Sequence, residues 1–227
     1  MSVAIAEEAR DAARTVRGDT SLRRGADLVL GGLALALASP VLLLLAAAVK
    51  LESRGPAFFS QERVGKDGRP FRIHKFRSMV AGADRLGPPV SGRRDPRVTR
   101  LGAVLRATKL DELPQLVNVV RGEMTLIGPR AEVGRYVAHY TGEERALLTV
   151  RPGLTGPGQV YFTTDQAGEL DGVDDPDRHY IEHQLHPKLA LDLDYLRKRS
   201  LALDLSILGA TLALLAGRRT RAGAADR

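Results

Sequence analysis

Asp111 and Glu112 form an adjacent acidic pair in the stretch Thr108-Lys109-Leu110-Asp111-Glu112-Leu113-Pro114-Gln115-Leu116. Proline is accepted in a helix only near its start, so Pro114 predicts a helix beginning close to Thr108–Asp111. Thr108, three residues before Asp111, resembles one half of a capping box. On a helical projection Gln115 and Asn118 share the Asp111 face, while Leu113, Leu116, Val117 and Val120 lie opposite. The expectation is a core-facing apolar side and a polar side headed by two carboxylates at a helix N-terminus. Such a terminus favours anions, and a diphosphate arriving there would meet backbone N–H groups as well as a metal held by the acids. The plain alternative is that the two acids only complement the helix dipole.

Basic residues in rigid settings strengthen the phosphate reading. Arg106 precedes the pair, Arg130 stands in Gly128-Pro129-Arg130, and Arg151 opens Arg151-Pro152-Gly153-Leu154-Thr155-Gly156. Lys75 and Arg77 belong to Lys75-Phe76-Arg77-Ser78-Met79. Guanidinium offers paired donors that match phosphate oxygens, and Gly/Pro neighbours hold it in place. Each of these could equally be a solvated surface charge. His179, His183 and His186 would share one helical face with metal-ligand spacing. However, His186 precedes Pro187 and no cysteine is available, so polar surface histidines are expected there. His74, flanked by apolar residues, reads as hydrogen-bonded structure.

The elements that position these groups follow from the rest of the chain. The 227 residues carry a net charge of +7 and no cysteine, which excludes disulfides, thiolate zinc sites and a cysteine nucleophile. A basic balance implies an anionic partner: nucleic acid, anionic lipid or phosphorylated small molecules. Scarce aromatics, with no tryptophan, and a long apolar segment weigh against nucleic acid. Residues 1–22 read as a polar, helix-compatible arm rather than a signal peptide. Leu28 to Val49 is the longest apolar run, long enough to cross a bilayer whose core takes roughly 20 helical residues. Pro40 breaks it by displacing the carbonyl of Ala36, and Ser39 can turn its hydroxyl onto a freed carbonyl. Basic residues flank the run on both sides, so the residues leave open a kinked span and a re-entrant hairpin with both ends on one face. Residues 53–80 predict a β-hairpin turning at Asp67-Gly68, and residues 98–121 are helical in pattern. Thr163 to Asp177 is an acidic loop, a candidate for selecting a ligand. Leu201 to Gly217 is apolar, short for a span, and suits an amphipathic helix at a membrane interface.

Taken in order, these landmarks resemble the bacterial sugar transferases, the monotopic phosphoglycosyl transferases that act on a polyprenol carrier. The resemblance runs from about Arg23 to Gly217. It rests on Arg24 and Asp27, Ser39-Pro40, Gly55-Pro56-Ala57-Phe58-Phe59, Gln61-Glu62-Arg63-Val64-Gly65 and Lys75-Phe76-Arg77-Ser78-Met79. It continues through Leu110 to Leu116, Gly122 to Arg130, and Arg151 to Gly156. It implies an α+β, mostly helical fold: a small catalytic domain with a β-hairpin on a re-entrant membrane segment, plus interfacial amphipathic helices. The implied organisation is an arm over 1–22, a re-entrant helix broken at Ser39 and Pro40 over 23–50, and a cytoplasmic catalytic domain over 51–200. An interfacial helix over 201–217 and a basic tail over 218–227 complete it.

The resemblance also implies a nucleophilic Asp111 and a Glu112 that helps bind Mg²⁺, with Mn²⁺ as substitute. The donor would be a UDP-sugar and the acceptor polyprenol phosphate, at the bacterial inner membrane. The candidate phosphate- and nucleotide-binding set is Lys75, Arg77, Arg106, Arg130, Arg151 and Gln159. Two departures from the usual pattern bear on donor recognition: Ala131 follows Arg130, and Pro157-Gly158 follows Thr155-Gly156. The chain resembles the minimal catalytic form of the family. Which sugar is moved and whether a homo-oligomer forms are left open by the sequence, and a non-enzymatic module binding anionic lipids is the main rival.

Overall fold

The computed structural model describes residues 3–92, 94–161 and 166–215. Its elements are α1 (Val3–Thr15), α2 (Ser21–Glu52), β1 (Phe58–Val64), β2 (Pro70–Phe76), α3 (Arg100–Ala107), α4 (Leu116–Arg121), β3 (Thr125–Ile127) and α5 (Gly134–Val137). They are followed by β4 (Gly153–Thr155), α6 (Pro157–Tyr161), α7 (Gln166–Glu169), α8 (Pro176–His179), α9 (His186–Lys198) and α10 (Leu201–Leu215). The expected basic tail over 218–227 lies outside the described residues, as do 163–165 of the acidic loop.

α2 starts at a side-chain cap, where Thr20 Oγ1 accepts from Arg23 N at 3.2 Å. It continues as helix through Pro40. The carbonyl that Pro40 leaves unpaired, Ala36 O, accepts instead from Ser39 Oγ at 2.8 Å, the compensation the sequence predicts. Of this 32-residue helix only Asp27, Gly31 and Val49 are buried. Among the described residues it is the one helix long and apolar enough to cross a membrane. Its middle presents Leu33, Leu37, Leu43 and Leu44, each more than half exposed. Leucines cost about 1.5–3 kcal/mol apiece when left in water rather than buried, so this surface calls for an apolar surrounding.

Both ends of α2 are fastened to the rest of the chain. Near its start, Arg24 donates to Val119 O and Val120 O at 2.6 and 2.8 Å, covering carbonyls at the end of α4. Asp27 accepts from Thr125 Oγ1 at 2.9 Å and from Leu126 N at 3.0 Å, which ties the helix to β3. Gly31 lets α2 approach α4 closely, because a Cβ there would fall 2.9 Å from Val119 Cγ1. At its far end, α2 is held by Arg77, described below.

β1 and β2 form the expected antiparallel hairpin, from Phe58 opposite Phe76 to Val64 opposite Pro70. The turn runs through Asp67 and Gly68, both left-handed, at φ 56° and 73°. β3 and β4 pair in parallel, Thr125 with Gly153 and Ile127 with Thr155. That pairing brings the two Gly/Pro motifs into contact, and a Cβ on Gly153 would lie 2.2 Å from Gly128 N. The main core joins α5, the 3₁₀ turn Glu144–Thr149, α9 and α10 through Tyr136, Leu147, Val150, Leu185, Leu196 and Ile207. The N-terminal arm is indeed helical, and Ala12 fastens it to this core.

α10 differs from an ordinary amphipathic helix. Its inward side holds two polar groups: buried Asp204, which pairs with Arg23 and accepts from Tyr195 OH at 2.6 Å, and Thr211, within 2.8 Å of Thr155 Oγ1. Its outward side is a stripe of Leu201, Leu205, Leu208, Leu212 and Leu215. The helix is therefore apolar outward and pinned inward by polar contacts.

Candidate active site

The helical pattern over 98–121 resolves into three pieces. α3 ends at Thr108, whose hydroxyl donates back to Val104 O and Leu105 O at 2.8 and 3.2 Å. Thr108 therefore closes one helix and does not cap the next. Lys109 follows at φ 57°, an uncommon left-handed conformation for lysine, and redirects the chain into a 3₁₀ turn, Leu110–Gln115, that carries Asp111 and Glu112. α4 continues from it.

The polar face of this segment is inside the protein, contrary to the helical-wheel expectation. Asp111, Gln115 and Asn118 are buried, while of the four apolar positions expected to face the core Leu116 is buried and Leu113, Val117 and Val120 are only half-buried. β2 supplies polar partners there, so the carboxylate-bearing face packs on a strand. Asn118, fully buried, donates to Arg72 O and Glu123 Oε2 at 2.7 Å each, and its Oδ1 accepts from His74 N at 3.2 Å. This staple sets β2 against the acidic turn and places Lys75 Nζ 2.7 Å from Glu112 Oε1. Arg130 Nη2 reaches the same oxygen at 3.3 Å. His74 is structural as expected, its ring within 3.0 Å of Ser60 Oγ.

The two carboxylates differ in their surroundings. Burial would push the Glu112 carboxyl up, but Lys75, Arg130 and Lys109 outweigh it and hold the group well below the usual range. Burial pushes Asp111 up, with Glu112 beside it adding to the shift and Lys75 opposing it. Asp111 Oδ1 is buried and has no hydrogen-bond partner. One acid is thus neutralised by cations, and its neighbour keeps an uncommitted oxygen.

Both acids line a cleft of about 970 Å³, large enough for an extended polar ligand. Lys75, Arg106, Arg130 and Gln159 line it too, as the sequence suggests. Two other candidates are employed differently. Arg77 reaches the cleft wall, but its Nη atoms donate to Arg54 O (2.9 Å), Ser53 O (2.7 Å), Ser53 Oγ (2.9 Å) and Val49 O (3.3 Å). It caps the C-terminal end of α2, where the exposed carbonyls of a helix end favour a cation. Arg151 is absent from the cleft; its backbone N and its Nε both approach Asp19 Oδ2, at 3.2 and 3.3 Å. Asp19 also meets Lys66 and Arg199, so Arg151 belongs to the junction of the arm with the domain.

Several cleft residues escape sequence reasoning. Arg63 donates to Gln61 Oε1 at 2.7 Å and lies 3.4 Å from Glu132 Oε2, while Tyr180 OH donates to Glu132 Oε1 at 2.8 Å. Asp192 accepts from Gly158 N and Arg130 N at 3.0 and 3.2 Å and so clamps the two glycine motifs. Lys188 stands one turn earlier on α9, its ammonium 4.5 Å from the centre of the Tyr180 ring. The signal was present as polar residues at helical spacing, Lys188, Asp192, Tyr195 and Arg199, among leucines. Tyr180 sits in a wide helical turn, Tyr180–Leu185, directly ahead of Pro187.

His179 and His183 stack on each other, their rings 4.5 Å apart, and His186 contacts Glu144 at 2.7 Å. No cluster of three or more metal-ligating side chains occurs among the described residues. Four described acids of the 163–177 loop are engaged: Glu169 accepts from Gln184 Nε2 at 3.0 Å, Asp171 from Arg94 N at 3.0 Å and Asp177 from Tyr136 OH at 2.5 Å, and Asp175 caps α8.

Residues 18–218 match the bacterial sugar transferase family. The chain belongs to that family. A UDP-glucose:undecaprenyl-phosphate glucose-1-phosphate transferase of Caulobacter vibrioides is 43% identical over 190 residues, covering 82% of this chain and 66% of the relative. A UDP-N-acetylgalactosamine-undecaprenyl-phosphate N-acetylgalactosaminephosphotransferase of Aeromonas hydrophila is 40% identical, over 84% of this chain and 43% of its own length. An exopolysaccharide production protein, PSS, of Rhizobium leguminosarum is 34% identical over 86% of this chain and 94% of the relative. The chain therefore spans two thirds or less of the first two sugar transferases and nearly all of the third.

Proposed function

We propose that this sugar transferase moves a sugar-1-phosphate from a UDP-sugar to undecaprenyl phosphate or a similar polyprenol phosphate, releasing UMP. The observation that carries the reading is Asp111: a buried cleft carboxylate with one uncommitted oxygen, beside a Glu112 whose charge Lys75 and Arg130 neutralise. In the first step an Asp111 oxygen attacks the phosphorus that bears the sugar, and the bond to the bridging oxygen breaks, so UMP leaves with that electron pair. In the second step an oxygen of the lipid phosphate attacks the same phosphorus, and the Asp111 carboxylate is expelled. A carboxylate is a modest nucleophile, so the positive groups around it must carry the catalysis.

The cleft is equipped for that charge. Arg63, Lys75, Arg97 and Arg130 have carboxylate partners, at Glu132, Glu112, Asp95 and Glu112 respectively. Among the described residues Arg106 bonds only to Ser91 Oγ, and its buried Nη1 has no partner there. The ammonium groups of Lys109 and Lys188 make no hydrogen bond or ion pair among the described residues. An anionic ligand would complete all three.

Glu112 and the free oxygen of Asp111 suit Mg²⁺ or Mn²⁺, which commonly bind one or two carboxylates together with substrate phosphates. Such an ion would neutralise phosphoryl and leaving-group charge.

A re-entrant α2, with the cleft facing the cytoplasm at the inner membrane, is supported by the way both its ends fasten to one body. Arg24 and Asp27 anchor its start and Arg77 its end, whereas a straight span would carry one basic flank across the bilayer.

The test is UMP release from UDP-glucose, UDP-N-acetylgalactosamine and further UDP-sugars, with Mg²⁺ and undecaprenyl phosphate, by wild type and Asp111→Asn. Metal-dependent release by wild type alone is expected. Release by neither, in folded membrane preparations and across donors, would favour the anionic-lipid-binding module instead.

A further inference from the structure

One wall of the cleft is built from α9, α10 and the turn before α9. Leu185, Lys188 and Leu189 line it from the first group, and Leu214 and Leu215 from the end of α10. Leu215 is also the last member of the outward stripe that begins at Leu201. An apolar track therefore leads along the lipid-compatible face of α10 and turns into a cleft that is otherwise polar and basic. A nucleotide-sugar has no apolar part to use it; a hydrocarbon chain bearing a phosphate has both parts.

Lys188 lines the same cleft from α9. Its ammonium lies over the Tyr180 ring, which fixes it by a cation–π contact, and Tyr180 is itself held by Glu132. Along α9, Lys188 is one turn from Asp192, which accepts from the backbone N–H of Arg130, and Arg130 touches Glu112. Lys188 thus joins the reacting centre to the apolar wall. The other two cations without a hydrogen-bonded carboxylate, Arg106 and Lys109, lie just ahead of Asp111 in the chain, and Arg106 bonds to Ser91. Lys188 comes from α9, whereas Arg106 and Lys109 come from the segment just ahead of Asp111, so the cleft draws these cations from separate elements.

We propose that Lys188, Leu214 and Leu215 form the acceptor subsite, with Lys188 binding the phosphate of a long-chain lipid monophosphate and the two leucines seating the start of its chain. The donor's diphosphate is then left to Arg106 and Lys109. This assignment rests on the two-step transfer proposed above.

The experiment uses the full chain in lipid nanodiscs, with two readings. One is exchange of labelled UMP into UDP-sugar without lipid acceptor, which reports the donor step alone. The other is steady-state transfer to undecaprenyl phosphate and to geranyl phosphate. Lys188→Met and Lys188→Gln each raise the acceptor KM about tenfold or more, the loss of one charge-assisted phosphate contact. Both keep exchange and the donor KM close to wild type, and Lys188→Arg restores acceptor KM. Leu214→Gln narrows the preference for undecaprenyl over geranyl phosphate. Slowed exchange in step with transfer, or an unchanged acceptor KM in both Lys188 variants, overturns the subsite alone. A wild type that neither exchanges nor releases UMP overturns the transferase reading and the subsite with it.

Discussion

Replacing Arg77 by methionine separates a structural arginine from a phosphate ligand. The side chain is 6% exposed, and its Nη atoms make four hydrogen bonds at the C-terminus of α2. Methionine fills most of the same space but donates nothing. Arg54 is exposed, so water can take over its carbonyl, and Val49 O still accepts from Ser53 N at 3.4 Å. Ser53 therefore bears most of the loss. Charge-assisted bonds are worth about 1.5–3 kcal/mol each, so with partial recovery by water the net cost is about 2–4 kcal/mol. For a chain of this size that lowers the melting temperature by roughly 5–15 °C. Lysine cannot fork to several carbonyls, so Arg77→Lys should lose nearly as much. Circular dichroism melts in detergent measure the shift, and the donor KM of the folded variant at low temperature should stay near wild type. A normal melt combined with a raised donor KM would refute the capping role and restore Arg77 to phosphate binding.

Other consequences are equally direct. Asn118→Leu removes three hydrogen bonds at a fully buried position, so a loss of about 3 kcal/mol is expected in the same melts, with donor turnover falling as Lys75 loses its register. Lys75→Met leaves the half-buried Glu112 carboxylate with Arg130 as its one remaining ion-pair partner among the described residues, and kcat for UMP release should fall about a hundredfold or more while the melt changes less. Burial pushes the Lys188 ammonium down to about 8, against Glu132 and Asp192, which raise it, and with Arg130 and Lys109, which lower it further. Its charge is present below that pH and lost above it, so the acceptor KM should climb as pH passes about 8 and stay flat in Lys188→Arg.

Much of this arrangement was legible because its rules are local. Ser39 repairs the carbonyl that Pro40 frees, Asp67-Gly68 makes the hairpin turn, and Asp111 heads a short helical turn ahead of Pro114. What the sequence hid depends on tertiary choices. Thr108 had two possible partners, and the carbonyls of its own helix won over the N–H groups of the next. The apolar positions at 113, 117 and 120 looked like core, yet β2 offered partners to Asn118 and drew the opposite face inward. Arg77 and Arg151 carry motif-like neighbours, but a nearby helix end engages the Nη atoms of the first and Asp19 pairs with the second. Lys188 and Asp192 sit far along the chain from Asp111 and reach it only because the clamp at Gly158 and Arg130 seats α9 on the cleft. For α10, composition indicated an apolar helix and the packing showed that Asp204 and Thr211 face the protein.

The claim that matters most is that Asp111 itself carries the sugar-phosphate. The most direct measurement is intact-protein mass spectrometry after incubation with a UDP-sugar and Mg²⁺ without lipid acceptor, followed by peptide mapping. A sugar-phosphate adduct on the peptide containing Asp111 is expected, absent from Asp111→Asn and discharged when undecaprenyl phosphate is added. UMP formation that requires the lipid and leaves no adduct at any time, or full turnover by Asp111→Asn, would contradict it.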